Sequence, residues 1–121
     1  MPLDSTNYVE AKPDSQVVTD LLALRALLSD PARWCQHSGA LNAAGLTVSP
    51  ADHRAVRYCL YGGIWKVTGL KNRSALGERH DALKAAVDRE AGMDAWIFNN
   101  SNPHGSVIAL LDRTIARERG S

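Results

Sequence analysis

The chain is predicted to fold as an all-α domain: a compact bundle of four main helices with short turns and one irregular loop. Three observations predict it. Apolar residues recur at i, i+3, i+4 and i+7 in four separate stretches. Residues that start and stop helices stand at the edges of those stretches. The length of 121 residues, 45% hydrophobic and 22% charged, fits one ordinary globular domain with a modest core.

Residues 1–14 are polar, contain Pro2 and Pro13, and show no periodicity, so they are expected to form a flexible arm. Tyr8 and Val9 could anchor that arm to the domain or to a partner. Residues 15–121 are expected to form the single helical domain. Asp14 or Ser15 can cap a first helix from Gln16 to Ser29. Its stripe is Val17, Leu21, Leu24 and Leu28, widened by Val18 and Leu22. Asp30-Pro31 stops it and opens a short turn through Trp34 and Cys35.

From Gln36 to Val48 the pattern breaks into a loop, with room for one short extended or hairpin segment. Ser49-Pro50-Ala51-Asp52 then reads as a helix start, and the spacing predicts a helix from Pro50 to about Val67. Val56, Cys59, Leu60, Gly63, Ile64 and Val67 would face inward. Gly62-Gly63 inside a helix costs about 1 kcal/mol per glycine relative to alanine, which implies close backbone packing there or the approach of a ligand. Gly69 ends this helix. The next is expected from Asn72 or Ser74 to Ala91, with the stripe Leu76, His80, Leu83, Ala86 and Val87 and with Gly92 as its stop. Met93 to Asn100 reads as a connector whose Trp96, Ile97 and Phe98 plug the core. Asn102-Pro103 opens the last helix, which turns Val107, Ile108, Leu111 and Ile115 inward. His80 is expected to be partly buried and satisfied, and His104 to face solvent.

Charge excludes some function classes. Fourteen Lys and Arg against thirteen Asp and Glu leave a net charge of +1, which exerts no strong pull on nucleic acid or an anionic membrane. No apolar run reaches the roughly 18–20 residues that span a bilayer. The first residues lack the basic start and apolar stretch of a signal peptide. Two cysteines are too few for a disulfide scaffold or an all-thiolate zinc site. A cytoplasmic protein with reduced thiols is the expectation.

Three segments carry a resemblance. They are Asp30-Pro31-Ala32-Arg33-Trp34-Cys35-Gln36, then Asp52 to Gly63 with its Ala55-Val56-Arg57-Tyr58-Cys59 run, then Ala95-Trp96-Ile97-Phe98-Asn99-Asn100. With the final Val107-to-Ala116 helix, they resemble a family of small uncharacterised proteins from bacteria and their phages, which tend to carry W-C-Q and A-V-R-[WY]-C-x-x-G motifs. This chain departs from that pattern at His37, where a small residue is usual. It departs again at Ile97 and Phe98, which separate Trp96 from the asparagines. The resemblance implies one helical domain and gives no residue a catalytic role.

Several constellations could carry chemistry. Cys35 has Arg33 and His37 two residues away on either side, and Asn99 or Asn100 could orient the imidazole of a Cys–His nucleophile. The competing reading makes Cys35 and Cys59 small hydrophobes of the core, and the inward position of Cys59 favours it. Cys35, His37, Cys59 and His53 lack the paired spacing of a zinc site, so no metal ligand set and no cofactor are predicted. Arg54, Arg57, Lys66, Lys71, Arg73 and Arg79 interleave with Tyr58, Tyr61 and Trp65, a pattern compatible with phosphate and base contacts. A solvated helix face accounts for the same pattern, and no nucleic-acid motif accompanies it. Tyr61 and Trp65 share a helix face four residues apart. If exposed beside Arg57 and Tyr58, they would form a protein-binding patch. Trp34, Cys35, Gln36, Trp96 and Asn99 could line one cleft with them. Two functions are therefore expected to compete. The first is a protein- or peptide-binding module acting through the Gln36–Val48 loop and the Arg57, Tyr58, Tyr61, Trp65 face. The second is a thiol or ligand-binding enzyme at a cleft around Cys35 and Cys59.

Overall fold

The structure is a computed structural model that describes residues 13–71 and 77–120. The expected arm falls almost wholly outside the described residues, as do Tyr8, Val9, Asn72, Ser74 and Leu76.

Helix α1 spans Gln16–Leu28 and begins where the sequence places it, because the Ser15 hydroxyl accepts a hydrogen bond from the Val18 amide at 3.2 Å. It buries Val18, Leu21, Leu24 and Leu28. Leu22 lies outside the buried stripe at 38% exposure. Asp30 caps a single 3-10 turn over Pro31–Arg33 by accepting from the Ala32 amide.

The fold is not the expected all-α bundle, because a three-stranded antiparallel sheet stands between the first two helices. Its strands are β1 (Ala40–Asn42), β2 (Thr47–Val48) and β3 (Ala55–Tyr58), in the order β2-β1-β3. The extended hairpin allowed for in the Gln36–Val48 loop is therefore present, and a third strand joins it. Ala40 pairs with Val48 on one side and with Tyr58 on the other. Asn42 closes the hairpin: its side-chain oxygen accepts from the Ala44 and Leu46 amides, and Gly45 supplies a φ of 81°.

The helix expected from Pro50 to Val67 is accordingly corrected. Its strong start signal is used by tight turns. Ser49 Oγ accepts from the Ala51 amide, and Asp52 Oδ1 accepts from the Arg54 amide. The Ala55 amide then donates to the Asp52 carbonyl, and the chain extends. These short side-chain bonds compete with helix formation as readily as they start it. The open edge of β1 then captures Ala55–Tyr58, leaving Val56 exposed at 44% rather than inward.

Helix α2 starts late and covers only Leu60–Thr68, with Cys59 as its N-cap and Gly69 at φ 71° as its stop. Its two glycines pack closely. A Cβ on Gly62 would collide with the Gly39 carbonyl, and one on Gly63 would sit 2.6 Å from a Leu24 methyl. Helix α3 is described from Glu78 to Ala91, ends at Gly92 as expected, and buries His80, Leu83, Ala86 and Val87.

The expected connector is itself a helix, α4 (Ala95–Ser101), capped by Asp94 through the Trp96 amide. Helical spacing turns Ala95 and Asn99 inward and leaves Trp96 and Ile97 at 36% and 55% exposure, so neither plugs the core. Of the three bulky residues only Phe98 packs against it. Helix α5 (His104–Arg119) buries Val107, Leu110, Leu111, Thr114 and Ile115. The apolar stripes of α1, α2, α3 and α5 meet in one core, and the sheet adds Ala40 and Tyr58 to it. Among the described residues no helix is long and apolar enough to cross a membrane.

Candidate functional site

The W-C-Q segment and the asparagine pair meet, as the sequence allowed, but they meet inside the protein. Asn99 is fully buried. Its carbonyl oxygen accepts from Trp34 Nε1 at 2.7 Å and from the Leu60 amide at 2.9 Å, while its amide nitrogen donates to the Cys35 carbonyl at 3.0 Å. Gln36 Nε2 donates to the carbonyls of Asn99 and Asn102, and Asn100 Oδ1 accepts from the His37 amide. That last contact holds His37 at φ 65°, a conformation rare for a residue with a Cβ. Trp34, Gln36 and Asn99 thus join the 3-10 turn, the start of α2 and α4, with the Trp34 and Gln36 donors and the Asn99 carboxamide already engaged.

His104, expected in solvent, stacks edge-on against Trp34 with centroids 5.4 Å apart, and its Nε2 lies 2.6 Å from the Leu28 carbonyl. His80 is buried as expected, but only its Nδ1 has a partner, Asp81.

The thiols are free and buried. Cys35 Sγ donates to the Ser38 carbonyl at 3.5 Å, and Cys59 Sγ accepts from the Gly62 amide at 3.2 Å. Burial pushes both thiols up, Cys59 to about 11, with Arg57 pulling Cys35 partly back. A nucleophilic cysteine needs the opposite displacement. Among the described residues no group of three His, Cys, Asp or Glu side chains could hold a metal ion.

The remaining candidates divide between two surface depressions that share no lining residue. The first is an aromatic cleft of about 420 Å³ lined by Tyr61, Trp65 and Trp96 and walled by Gly39 and residues 47–50 of the β2 end. The Tyr61 ring stands edge-on to Trp96 at 6.5 Å and tilted to Trp65 at 6.3 Å. Tyr61 and Trp96 also line an adjoining hollow with Lys84 and Asp94, whose side chains form an ion pair at 3.0 Å. Trp65 is only 6% exposed and forms the floor, and its Nε1 finds no acceptor among the described residues.

The second depression holds Arg57 and the edge of Tyr58, together with Arg33 and Lys66, in a groove of about 550 Å³. Tyr58 is 4% exposed, and its hydroxyl donates to the Ala55 carbonyl, so it is wall rather than handle. The single face expected to combine Arg57, Tyr58, Tyr61 and Trp65 is therefore split. The split follows from β3: in a strand Arg57 and Tyr58 point to opposite sides, and α2 begins only after them. Arg33 gained no role in the groove from sequence, and its signal was weak: a cation closing a proline turn. The Gln36–Val48 loop, read from sequence as part of the recognition surface, supplies Gly39, Thr47 and Val48 to the cleft wall, whereas Lys84 was missed, since it reaches the adjoining hollow from a distant helix.

No curated protein and no solved structure shows significant similarity to the chain. A family model does, over residues 12–117, and it covers the sheet, both depressions, helices α1 to α4 and all but the last two residues of α5. The chain therefore belongs to the family described as Family of unknown function (DUF6197).

Proposed function

We propose that this protein is a binding module that recognises a peptide segment of a protein partner through the aromatic cleft of Tyr61, Trp65 and Trp96. The observation that carries the reading is the cleft itself. Two partly exposed rings stand edge to face over a buried indole, beside main chain from the hairpin. Aromatic rings held rigid in a concave surface lose little entropy when an apolar or proline side chain docks between them. Trp96 stays on the surface although a helix residue so apolar is normally turned inward. The Lys84–Asp94 pair at the rim can trade its mutual contact for polar groups of a ligand. We place the protein in the cytoplasm, a reading supported by its two unpaired thiols. The resemblance to proteins of bacteria and phages supports a role in phage or mobile-element biology, and the neighbouring genes test that part.

A random-peptide display library selected on the immobilised full chain tests the binding reading. A convergent sequence is expected, and Trp96→Ala should weaken its binding by about tenfold or more while leaving the circular dichroism unchanged. Failure to converge would overturn the proposal. So would selected peptides that bind Trp96→Ala and Tyr61→Ala as tightly as the parent.

A further inference from the structure

The basic groove has a charge balance unlike the rest of the described surface. Elsewhere among the described residues every arginine is held by a carboxylate, as Arg25 is by Asp112, Arg54 by Asp52, Arg79 by Asp20, and Arg89 and Arg117 by Glu118 and Glu90. Arg33, Arg57 and Lys66 have no ion-pair partner among the described residues, and all three line the same groove. They come from three elements: the 3-10 turn, β3 and the last turn of α2. No carboxylate lines the groove. The two nearest acidic residues in sequence are engaged, Asp30 with the Ala32 amide and Asp52 with Arg54. Apart from these cations and Tyr58, the lining is small and apolar, with Ala32, Ala43, Ala55 and Val56 beside Leu27.

We propose that this groove binds a small phosphorylated ligand, with Arg33, Arg57 and Lys66 holding its phosphoryl oxygens and the alanine and valine wall receiving its uncharged part. Three cations lining one groove repel one another until an anion joins them. A lone carboxylate carries one negative charge, whereas a phosphate monoester carries roughly two and a diphosphate more, which matches the site. Arginine forks bind phosphate oxygens in pairs, and lysine adds a point charge. The volume of about 550 Å³ falls inside the usual range of roughly 300–1,000 Å³ for small-ligand sites. The groove shares no residue with the aromatic cleft, so this proposal and the peptide-binding one stand or fall separately.

Titration calorimetry of the full chain at low ionic strength tests it, with sodium pyrophosphate as the probe and a nucleoside diphosphate, citrate and a short single-stranded oligonucleotide as comparison arms. One saturable site for pyrophosphate is expected. Arg33→Gln and Arg57→Gln should each weaken it by about tenfold, the loss of one charge-assisted contact. Lys71→Gln removes a cation that also has no ion-pair partner among the described residues but lies outside the groove, and should leave affinity unchanged. Tighter binding of the nucleoside diphosphate than of pyrophosphate would support the apolar wall as the seat of the uncharged part. Absence of saturation overturns the proposal, as does an equal loss in Lys71→Gln, which would reveal general charge attraction. Citrate binding as tightly as pyrophosphate overturns the phosphate assignment. Oligonucleotide binding tighter than either phosphate probe overturns it in favour of a nucleic-acid surface.

Discussion

One carboxamide, that of Asn99, accepts from Trp34 and Leu60 and donates to the Cys35 carbonyl from a fully buried position. Truncating it orphans two donors and an acceptor in the interior, each costing about 1–3 kcal/mol. Asn99→Ala is therefore expected to destabilise the protein by more than about 3 kcal/mol in urea unfolding. Asn99→Asp should also destabilise it, since a carboxylate would face the Cys35 carbonyl. A loss under about 1 kcal/mol in either variant would show that water replaces the amide. Trp34, Cys35, Gln36 and Asn99 were legible in the sequence as distinctive residues that could gather in one place. Whether their polar ends would face solvent or one another was not legible. Trp34 and Asn99 are 65 residues apart, and only the completed fold brings that donor to that acceptor. Cys59 shows the reverse: an inward position at helical spacing was enough to read it as core, although it caps a helix rather than lying within one.

Between elements, the two glycines of α2 and one ion pair carry the clearest consequences. Gly62→Ala would drive a methyl into the Gly39 carbonyl, fixed main chain of the segment leading into β1, and should cost about 3 kcal/mol. Gly63→Ala meets the end of the Leu24 side chain, which can turn aside, so its cost should be smaller. Gly105→Ala in α5 meets nothing within 4 Å and should be neutral or stabilising by about 0.5–1 kcal/mol. Thermal melts of the three variants check this order, and equal effects would refute the packing account. Asp20 on α1 is 3% exposed and is held by a two-nitrogen contact from Arg79 on α3. Arg79→Met leaves that carboxylate buried without its cation and should lower the urea midpoint more than Asp20→Asn does. Periodicity revealed the start of α1, the stops of α2 and α3 and the stripe of α5. It failed at Ser49–Asp52, where the capping chemistry of a helix start and of a tight turn is the same. At Met93–Asn100 the crowding of three bulky residues hid a seven-residue helix that turns two of them outward.

For the molecule as a whole, three buried acids titrate in the alkaline range. Burial raises Cys35 and Tyr58, and raises Cys59 from 9.0 to about 11. A group whose folded pKa lies above its unfolded value keeps its proton longer in the folded state. Its contribution is fully present below the unfolded pKa and is lost as pH rises through the folded one. Stability should therefore fall between about pH 9 and 11, by on the order of 2 kcal/mol from Cys59 alone. Urea midpoints across that range check this, and Cys59→Ala should flatten the slope. An unchanged slope would mean that the thiol titrates normally. The same burial makes both thiols slow toward a thiol reagent at neutral pH, and fast labelling of Cys35 in the native state would return the nucleophile reading to consideration.

By itself the sequence determined which residues are apolar, how they recur along four helices, and where glycine, serine and proline begin and end most of them. Those are local properties, set by side-chain spacing and by hydrogen bonds that reach only a few residues. Only the tertiary structure decided that Ala55–Tyr58 would be a strand, that Asn99 would be a buried junction, and that Arg33, Arg57 and Lys66 would share one groove. Each of these depends on partners far away in the chain, and a strand edge or a buried acceptor exists only once the rest of the fold has presented it.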